Sequence, residues 1–477
     1  MQQPLDARVV EGRPDHVDLE TDVLILGAGA CGLVAALKAA AAGAETIVLE
    51  RDPVPAGSTA MSSGFIPAPG TRFQEAIGVT DDTPARFLDD IQEKAKRRSQ
   101  PVIADLATRT IAPALEWLAD EAGLEWIVLD DFLYPGHTRH RMHAVPEKTG
   151  EALMGRLQQA VEAAGIPVVT DAFCDTLYRD APGHIDAVAL LRPDGSREII
   201  RAKAVVLACN GYGGNPDLVA RHIPEMADGL YYGHEGNTGS ALLWGEEMQA
   251  QTAHLTAYQG HGSLAHPHGI LISWALMMEG GIQVNLAGQR FSNEHGGYSE
   301  QAVNVLAQPD GVAWNVYDQR LHDFAMSFPD YQQAFQAGAV RVAQDVSSLA
   351  ATLQVPEAAL SETLAEVERL SKAETKEDAT DRFGRSFAGH KGFSTPFHAV
   401  KVTGALFHTQ GGLLVDDTAR VLQADGEPFT NLLAGGGAAC GVSGPEVSGY
   451  LSGNGLLTAV SLGFVAGTTA ARLAGAS

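Results

Sequence analysis

The sequence predicts an α/β fold in which one domain is inserted into another, and three observations predict it. A buried strand, a glycine-rich turn and an alanine-rich helix follow one another from Asp22 to Gly43. Glycine-rich strand ends return at 209–214 and at 435–455, where the chain enters its last helix. Between them residues 310–395 are helix-rich, polar and poor in glycine, the text of a separate domain of roughly 140 residues.

At 477 residues the chain has room for about two or three domains of ordinary size. Apolar residues make up 45% and charged residues 19%, which excludes a disordered chain. The formal charge is −25, from 33 basic and 58 acidic side chains, and so acidic a surface repels nucleic acid and anionic membrane. Cys31, Cys174, Cys209 and Cys440 lie far apart with no CxxC pair. That excludes a disulfide scaffold, a zinc ribbon and a cysteine-bound haem or iron–sulfur module, and no metal is expected. The first residues are polar and acidic, the wrong chemistry for a signal peptide, and the apolar stretch Val23 to Ala44 carries Lys38 and spaced glycines. A cytoplasmic protein with neither nucleic acid nor membrane as partner is the expectation.

Taken in order, residues 1–20 read as a loose leader. VLIL after Asp22 is a buried parallel strand, the helix runs to Gly43, and TIVLE is a second strand closing on Glu50, which completes a βαβ unit. Helical periodicity returns at 84–97, 103–123 and 149–164. GIPVVTD, IDAVALLRPDG and REIIRAKAVVLAC read as strands, and the last runs into the turn NGYGG. Residues 255–295 mix strands and turns, and the final helix is expected from Leu456 to Leu473. The division that results is 20–255 and 401–477 as two parts of one domain, with 256–400 inserted.

Gly27, Gly29 and Gly32 form a GxGxxG pattern, weak alone but here set after a strand and before a helix. The first glycine permits the tight turn, the second lets a pyrophosphate approach the backbone, and the third lets helix pack on strand. Phosphate then sits at a helix N-terminus, where N–H groups and the dipole favour negative charge. Glu50 ends the second strand roughly 20 residues on, where a carboxylate accepts hydrogen bonds from a ribose diol and disfavours a 2′-phosphate. The unit is a Rossmann-like dinucleotide site.

Further segments resemble, in chain order, the fumarate reductase / succinate dehydrogenase flavoprotein superfamily. RDPVPAGSTAMSSGFIPAPGTRF resembles its loop along the flavin, VVLACNGYGGN its "ATGG" turn and GGIQVNLAGQRFSNE its "GxxVNxxGxRFxNE" signature. HTQGGLLVDDTARVL and NLLAGGGAACGVSG, with GYLSGNGLLTAVSLGFVAG, resemble its C-terminal glycine segments. The resemblance implies a Rossmann-like FAD-binding domain of GR2 type, an inserted α+β capping domain, and substrate held between them against the flavin. It assigns FAD contacts to Gly27, Gly29, Gly32, Glu50 and Arg51, and to Ser58, Thr59, Ser63 and Gly64 in the flavin loop. Asn210 and Gly211 follow from the second turn, and Gly436, Gly437, Ser452, Asn454 and Leu456 from the last segments. The flavin loop offers Ser58, Thr59, Ser62 and Ser63 where members with covalent flavin carry a histidine, so the FAD is expected to be non-covalent. Gly437 departs from the acid that many members use on the flavin's sugar chain. Residues 453–456 open the last helix, whose positive end is expected at the flavin's pyrimidine edge, stabilising the reduced anion.

Fumarate reductases deliver a proton from an arginine after RFxNE, at the place held here by Tyr298, and clamp a carboxylate with an arginine at the place of Tyr450. The first register follows RFSNE without a gap, whereas three extra residues lie between Gly444 and Tyr450. Tyrosine at both places resembles another branch, the 3-ketosteroid Δ1-dehydrogenases and related cyclic-ketone desaturases. That resemblance makes Tyr298 the base and Tyr450 the acid that polarises the ketone, with the backbone N–H of Gly453 or Asn454 beside it and Tyr134 in DDFLYPG as a helper. General chemistry agrees, because a developing enolate needs preorganised donors, each supplying ~3–4 kcal/mol. A tyrosine of ordinary pKa, about 10, must be lowered to act as base at neutrality, and Arg290 or Tyr134 are the candidates to lower it.

His261 stands at the place of the reductases' "HPT" histidine and His408 at that of the histidine before "TxGG". Both bind carboxylate there, and both read equally well as structural histidines. Arg290 belongs to the RFxNE signature and reads as structural. The run GHTRHRMH, Gly136 to His143, reads as a solvated loop or as a contact to FAD phosphate or a substrate carboxylate; His266 and His268 receive no role. The expected activity is an FAD-dependent dehydrogenase that introduces a C=C bond α,β to the carbonyl of a cyclic ketone (cyclohexanone, oxocyclohexane carboxylate or 3-ketosteroid type). Tyrosine removes the α-proton, hydride passes to flavin N5, and oxygen, a quinone or a carrier takes the electrons. The alternative enzyme is a fumarate- or enoate-type reductase of an unsaturated carboxylate, to which the two histidines point. A redox carrier without organic substrate is a third class, against which the inserted domain speaks.

Overall fold

Val23 to Leu26 are fully buried because their strand, Leu19–Leu26, has a parallel neighbour on either edge. The structure, a computed structural model, describes residues 7–131 and 133–476. The start of the expected leader (1–6), Phe132 of the DDFLYPG segment and Ser477 lie outside them. The chain divides into two units, the described residues of Met1–Ile223, Gly233–Tyr258 and His408–Ser477 in one, Pro224–Tyr232 and Gln259–Phe407 in the other.

The first unit is built on a sheet that runs Arg8–Glu11, Phe173–Ala181, His184–Leu191, Arg197–Leu207, Leu19–Leu26, Thr46–Leu49 and Val168–Val169. Its last four strands are parallel, while Phe173–Ala181, His184–Leu191 and Arg197–Leu207 form an antiparallel meander. Arg197–Leu207 shares one edge between two partners. Residues 197–201 pair with His184–Leu191, and 205–207 pair with Pro428–Ala434, so a C-terminal strand completes an N-terminal sheet.

The expected leader is not loose throughout. Arg8–Glu11 pairs parallel with Phe173–Ala181, and the Val9 N–H donates to Glu247 Oε2 at 2.9 Å. Four mostly exposed residues on a sheet edge are too few to show a period. Helices fall at Pro84–Lys94, Pro101–Ala122 and Gly150–Ala163. The second starts two residues early because Pro101 suits the first helical turn, and Gly123 ends it at φ 70°.

The last helix, Asn454–Ala474, packs against Ala30–Ala41 with backbones close together. A Cβ on Gly463 would lie 2.5 Å from Cys31 O and one on Gly467 2.3 Å from Ala35 O. Among the described residues this helix is long and apolar enough to cross a membrane by length and composition, and 61% of its most apolar window is buried inside the protein.

The second unit carries a sheet of order Ile270–Leu271, Tyr258–Ala265, Phe397–Thr409, Val312–Asp318, Ile282–Val284, with Leu230–Tyr231 and Val340–Ala343 also on Phe397–Thr409. The 310–395 segment, read as helix-rich, thus contains two strands. Val312–Asp318 is buried at all seven positions, so it lacks the alternation that marks a strand with one wet face. The unit also holds a buried ion network: Glu294 takes Arg290 at 2.6 Å and Arg385 at 2.9 Å, and Arg290 also takes Asp381 at 2.5 Å.

Candidate active site

In the first unit, the turn between Leu19–Leu26 and Ala30–Ala41 borders an open cleft. Gly27, Gly29, Glu50, Arg51, Ser58, Thr59 and Asn210 line it. Gly27 has φ 111°, and a Cβ there would lie 2.5 Å from Ala208 O. A Cβ on Gly32 would lie 1.9 Å from Gly27 O, so the helix rests on the turn with no side chain between them. Glu50 Oε2 accepts from the Ala28 N–H at 2.9 Å and Oε1 from the Asp52 N–H at 3.0 Å. A carboxylate has about four lone-pair sites, so capacity remains for a ribose diol.

Ser58 Oγ accepts from Asn210 Nδ2 at 3.0 Å and from Asn237 Nδ2 at 2.8 Å, which leaves its own O–H to donate. Asn210 Oδ1 accepts from the Gly211 N–H at 2.8 Å. A Cβ on Gly437 would lie 2.1 Å from that Oδ1, so an acid at 437 cannot stand beside Asn210 as it is placed here. Of the other expected FAD residues, Gly32 lies behind the turn and a Cβ on Gly64 would meet Thr149 O at 2.7 Å. Ser63, Gly211, Gly436, Ser452, Asn454 and Leu456 are likewise outside the cleft lining. His234, Gly236, Asn237 and Thr238 form part of its wall, together with Ala172, Phe173, Cys174 and Trp244. Sequence reasoning missed these eight, because no motif marks them; His234 contacts Asp52 at 3.0 Å and accepts from the Gly236 N–H at 3.1 Å.

Gly453, at φ 87°, caps the last helix, and Asn454 opens it fully buried, its Oδ1 without a hydrogen-bond partner. His408 lies over this helix start: a Cβ on Gly455 would come 3.0 Å from its ring. Tyr450, buried, meets His408 edge-on at 5.6 Å and 73°. Burial lowers the His408 pKa to about 4, so the imidazole is neutral. The glycine cradle at 27–32, where a Cβ on Gly27 or Gly32 would collide with backbone, and the Glu50 carboxylate beside it fit a bound dinucleotide such as FAD.

Much of the Gly136–His143 run is neither solvated nor available to anions. Arg141 is fully buried, held by Asp82 at 2.8 Å and Asp90 at 2.5 Å, and Arg139 is paired with Asp81. With Arg141 Nη1 at 3.4 Å from its Nδ1, His137 carries its proton on Nε2 and donates to the Ser452 carbonyl at 3.0 Å. The loop therefore fixes the main chain just before the last helix. His143 lies between Thr71 Oγ1 at 2.7 Å and the Arg141 carbonyl at 2.9 Å.

Burial lowers His137 and His143 to a pKa of about 4, with Arg141 adding to the effect at His137. The unfolded chain, with histidines near 6.5, then binds protons that the folded one refuses. Stability is accordingly full above about pH 6.5 and lost as pH falls towards 4, by on the order of 3 kcal/mol per imidazole. Urea midpoints at pH 7.5 and 5 should differ in that direction; His143→Gln should flatten the difference.

In the second unit Tyr298 begins the helix Tyr298–Leu306, after Gly297 at φ 144°. Its ring stacks on His261 at 5.1 Å and 25°, His261 stacks on Phe407 at 5.4 Å, and Phe407 meets Tyr232 at 5.0 Å. Trp274 closes on His261 edge-on at 5.8 Å. Burial lowers His261 to a pKa of about 3, and its Nδ1 accepts from the Ser263 N–H at 3.2 Å, leaving Nε2 to carry the proton. Arg290, a candidate helper for Tyr298, bonds instead to Glu294, Asp381 and the Ser292 carbonyl. Tyr134 belongs to the first unit, where it meets Phe65 edge-on at 6.1 Å.

A Rossmann-type glycine cradle with an acid at the end of the second strand defines a dinucleotide-binding protein. The family model described as FAD binding domain matches residues 22–456, and the chain belongs to that family. The chain is 29% identical over 457 residues to the probable fumarate reductase Ifc3 of Shewanella frigidimarina, covering 95% of itself and 75% of that protein. It is 26% identical over 571 residues to a 3-oxosteroid 1-dehydrogenase of Mycobacterium tuberculosis, covering 96% of itself and 99% of that protein. The open conformation of a flavocytochrome c3 fumarate reductase superposes with a TM-score of 0.80 at 26% identity, covering 96% of this chain and 79% of that one. The protein is an FAD-dependent oxidoreductase of the fumarate reductase and ketosteroid dehydrogenase kind.

Proposed function

We propose that the protein desaturates a cyclic ketone next to its carbonyl, with residues 256–400 as its capping domain. The observation that carries this reading is the chemistry at two positions. Tyr298 lies against the neutral His261 and Tyr450 against the neutral His408. A dicarboxylate needs fixed cations, whereas phenols beside neutral imidazoles suit a carbonyl oxygen and a carbon acid. Tyr298 accepts the α-proton. Tyr450 donates its O–H to the carbonyl oxygen, helped by the backbone N–H of Gly453, since that of Asn454 donates to the Leu451 carbonyl at 3.0 Å, and donors of this kind supply ~3–4 kcal/mol each to a developing enolate. Bound FAD supplies the two-electron acceptor for the β-hydrogen, and oxygen, a quinone or a carrier reoxidises it.

The test is anaerobic mixing of the FAD-loaded protein with cyclohexanone, 4-oxocyclohexanecarboxylic acid, a 3-ketosteroid and succinate. Bleaching of the visible flavin band by a cyclic ketone is expected. Tyr450→Phe should slow exchange of the substrate's α-hydrogen with deuterated solvent; unchanged exchange would remove Tyr450 from this role.

A second reading is supported by the probable fumarate reductase of Shewanella frigidimarina and by the two neutral histidines as N–H donors: reduction of an unsaturated carboxylate. Its signature is no bleaching by any ketone, with reoxidation of the reduced protein by an unsaturated acid.

A further inference from the structure

His408 can offer a substrate either a proton or a lone pair at Nε2, depending on which ring nitrogen is protonated. In the first unit that choice is made by residues outside the proposed substrate contacts. Gln410 Nε2 lies 3.1 Å from His408 Nδ1, and Gln410 Oε1 accepts from Ser443 Oγ–H at 2.7 Å. Ser443 Oγ in turn accepts from Asn454 Nδ2 at 3.0 Å. The hydroxyl has a single proton and spends it on Gln410 Oε1, so the other end of the amide, its NH₂, faces the imidazole. Gln410 is also held through its backbone: its N–H donates to the Ala257 carbonyl at 2.7 Å and its carbonyl accepts from the Gly441 N–H at 2.8 Å. All three relay residues are buried. The opposite tautomer has only the longer 3.4 Å approach of Nδ1 to the Thr409 carbonyl.

We propose that Gln410, oriented by Ser443 and Asn454, is a positioning residue that keeps the His408 proton on Nε2 and makes His408 a hydrogen-bond donor to a substrate carbonyl or carboxylate oxygen. The proposal rests on the reading of His408 as a substrate contact. In HTQGG the glutamine carries no signal of this role, because its partners lie 33 and 44 positions away in the chain. A glutamate at 410 would reverse the arrangement: its carboxylate can only accept, so it would draw the proton to Nδ1 and turn Nε2 into a lone pair.

The experiment uses the FAD-loaded protein with ¹⁵N-labelled histidine, His408 being assigned by the resonances lost in His408→Gln. Long-range ¹H–¹⁵N spectra should show Nδ1 unprotonated in the natural protein, protonated in Gln410→Glu, and a mixture in Ser443→Ala. An unmoved pattern in both variants, with the flavin absorbance spectrum intact, overturns the relay. Binding of 4-oxocyclohexanecarboxylate, read from the flavin band, should weaken about tenfold in Gln410→Glu, the worth of one strong hydrogen bond. If the tautomer moves while binding is unchanged, the relay stands and His408 is not a substrate contact. That outcome separates failure of the functional reading from failure of this inference.

Discussion

Turnover of the Tyr298→Phe protein is expected to fall by roughly 10²–10⁴, the worth of a lost proton-transfer group, with the FAD content and its visible spectrum unchanged. The substitution removes one oxygen and keeps the ring that stacks on His261 at 5.1 Å. The helix Tyr298–Leu306 keeps its first residue, and the glycine cradle belongs to another unit of the chain. A fall in kcat with little change in substrate binding is the pattern of a group that acts on the transition state. Near-normal turnover would remove Tyr298 as base.

The largest stability effect is expected from Glu294→Ala. Burial pushes the Glu294 carboxyl pKa up, but Arg385 and Arg290 beside it outweigh that and hold it at about 2. Without it, Arg385 is left buried with backbone carbonyls as its remaining acceptors, while Arg290 keeps Asp381. Removing one partner of such a buried set costs about 3–5 kcal/mol, against about 0–1 for an exposed pair such as Lys372–Glu368. The urea midpoint, followed by tryptophan fluorescence, should drop accordingly; Trp274, whose Nε1 donates to the Glu294 carbonyl, reports from within the network. Because the carboxylate is depressed in the folded state, its contribution is full above about pH 4.5 and is lost as pH falls towards 2. An unchanged midpoint would mean that the three charges are no better paired than surface ones.

The βαβ unit was legible because a wholly apolar strand, spaced glycines and an acid follow one another within one short segment. The two proposed tyrosines were singled out by motif register alone, and each lies beside a buried histidine. What stayed hidden was assembled from distant parts of the chain. Asp82 and Asp90 lie more than 50 positions from Arg141, so GHTRHRMH looked like a free basic run although its central arginine is fully neutralised. His234 and Asn237 reach the cleft through tertiary folding, in a stretch whose glycines and polar residues look like any loop. Val312–Asp318 was hidden for the opposite reason: complete burial erases the alternation by which a strand is recognised.

The divided edge of Arg197–Leu207 also sets an order of events during synthesis. When residue 207 leaves the ribosome its neighbour Leu19–Leu26 already exists, but Pro428–Ala434 follows about 220 residues later, roughly 10–40 s at usual elongation rates. For that time three residues of strand edge stand open to a wrong partner. The second unit needs nothing beyond residue 407. The part encoded in the middle is thus the first that can be finished, and the part that begins the chain has to wait for its end.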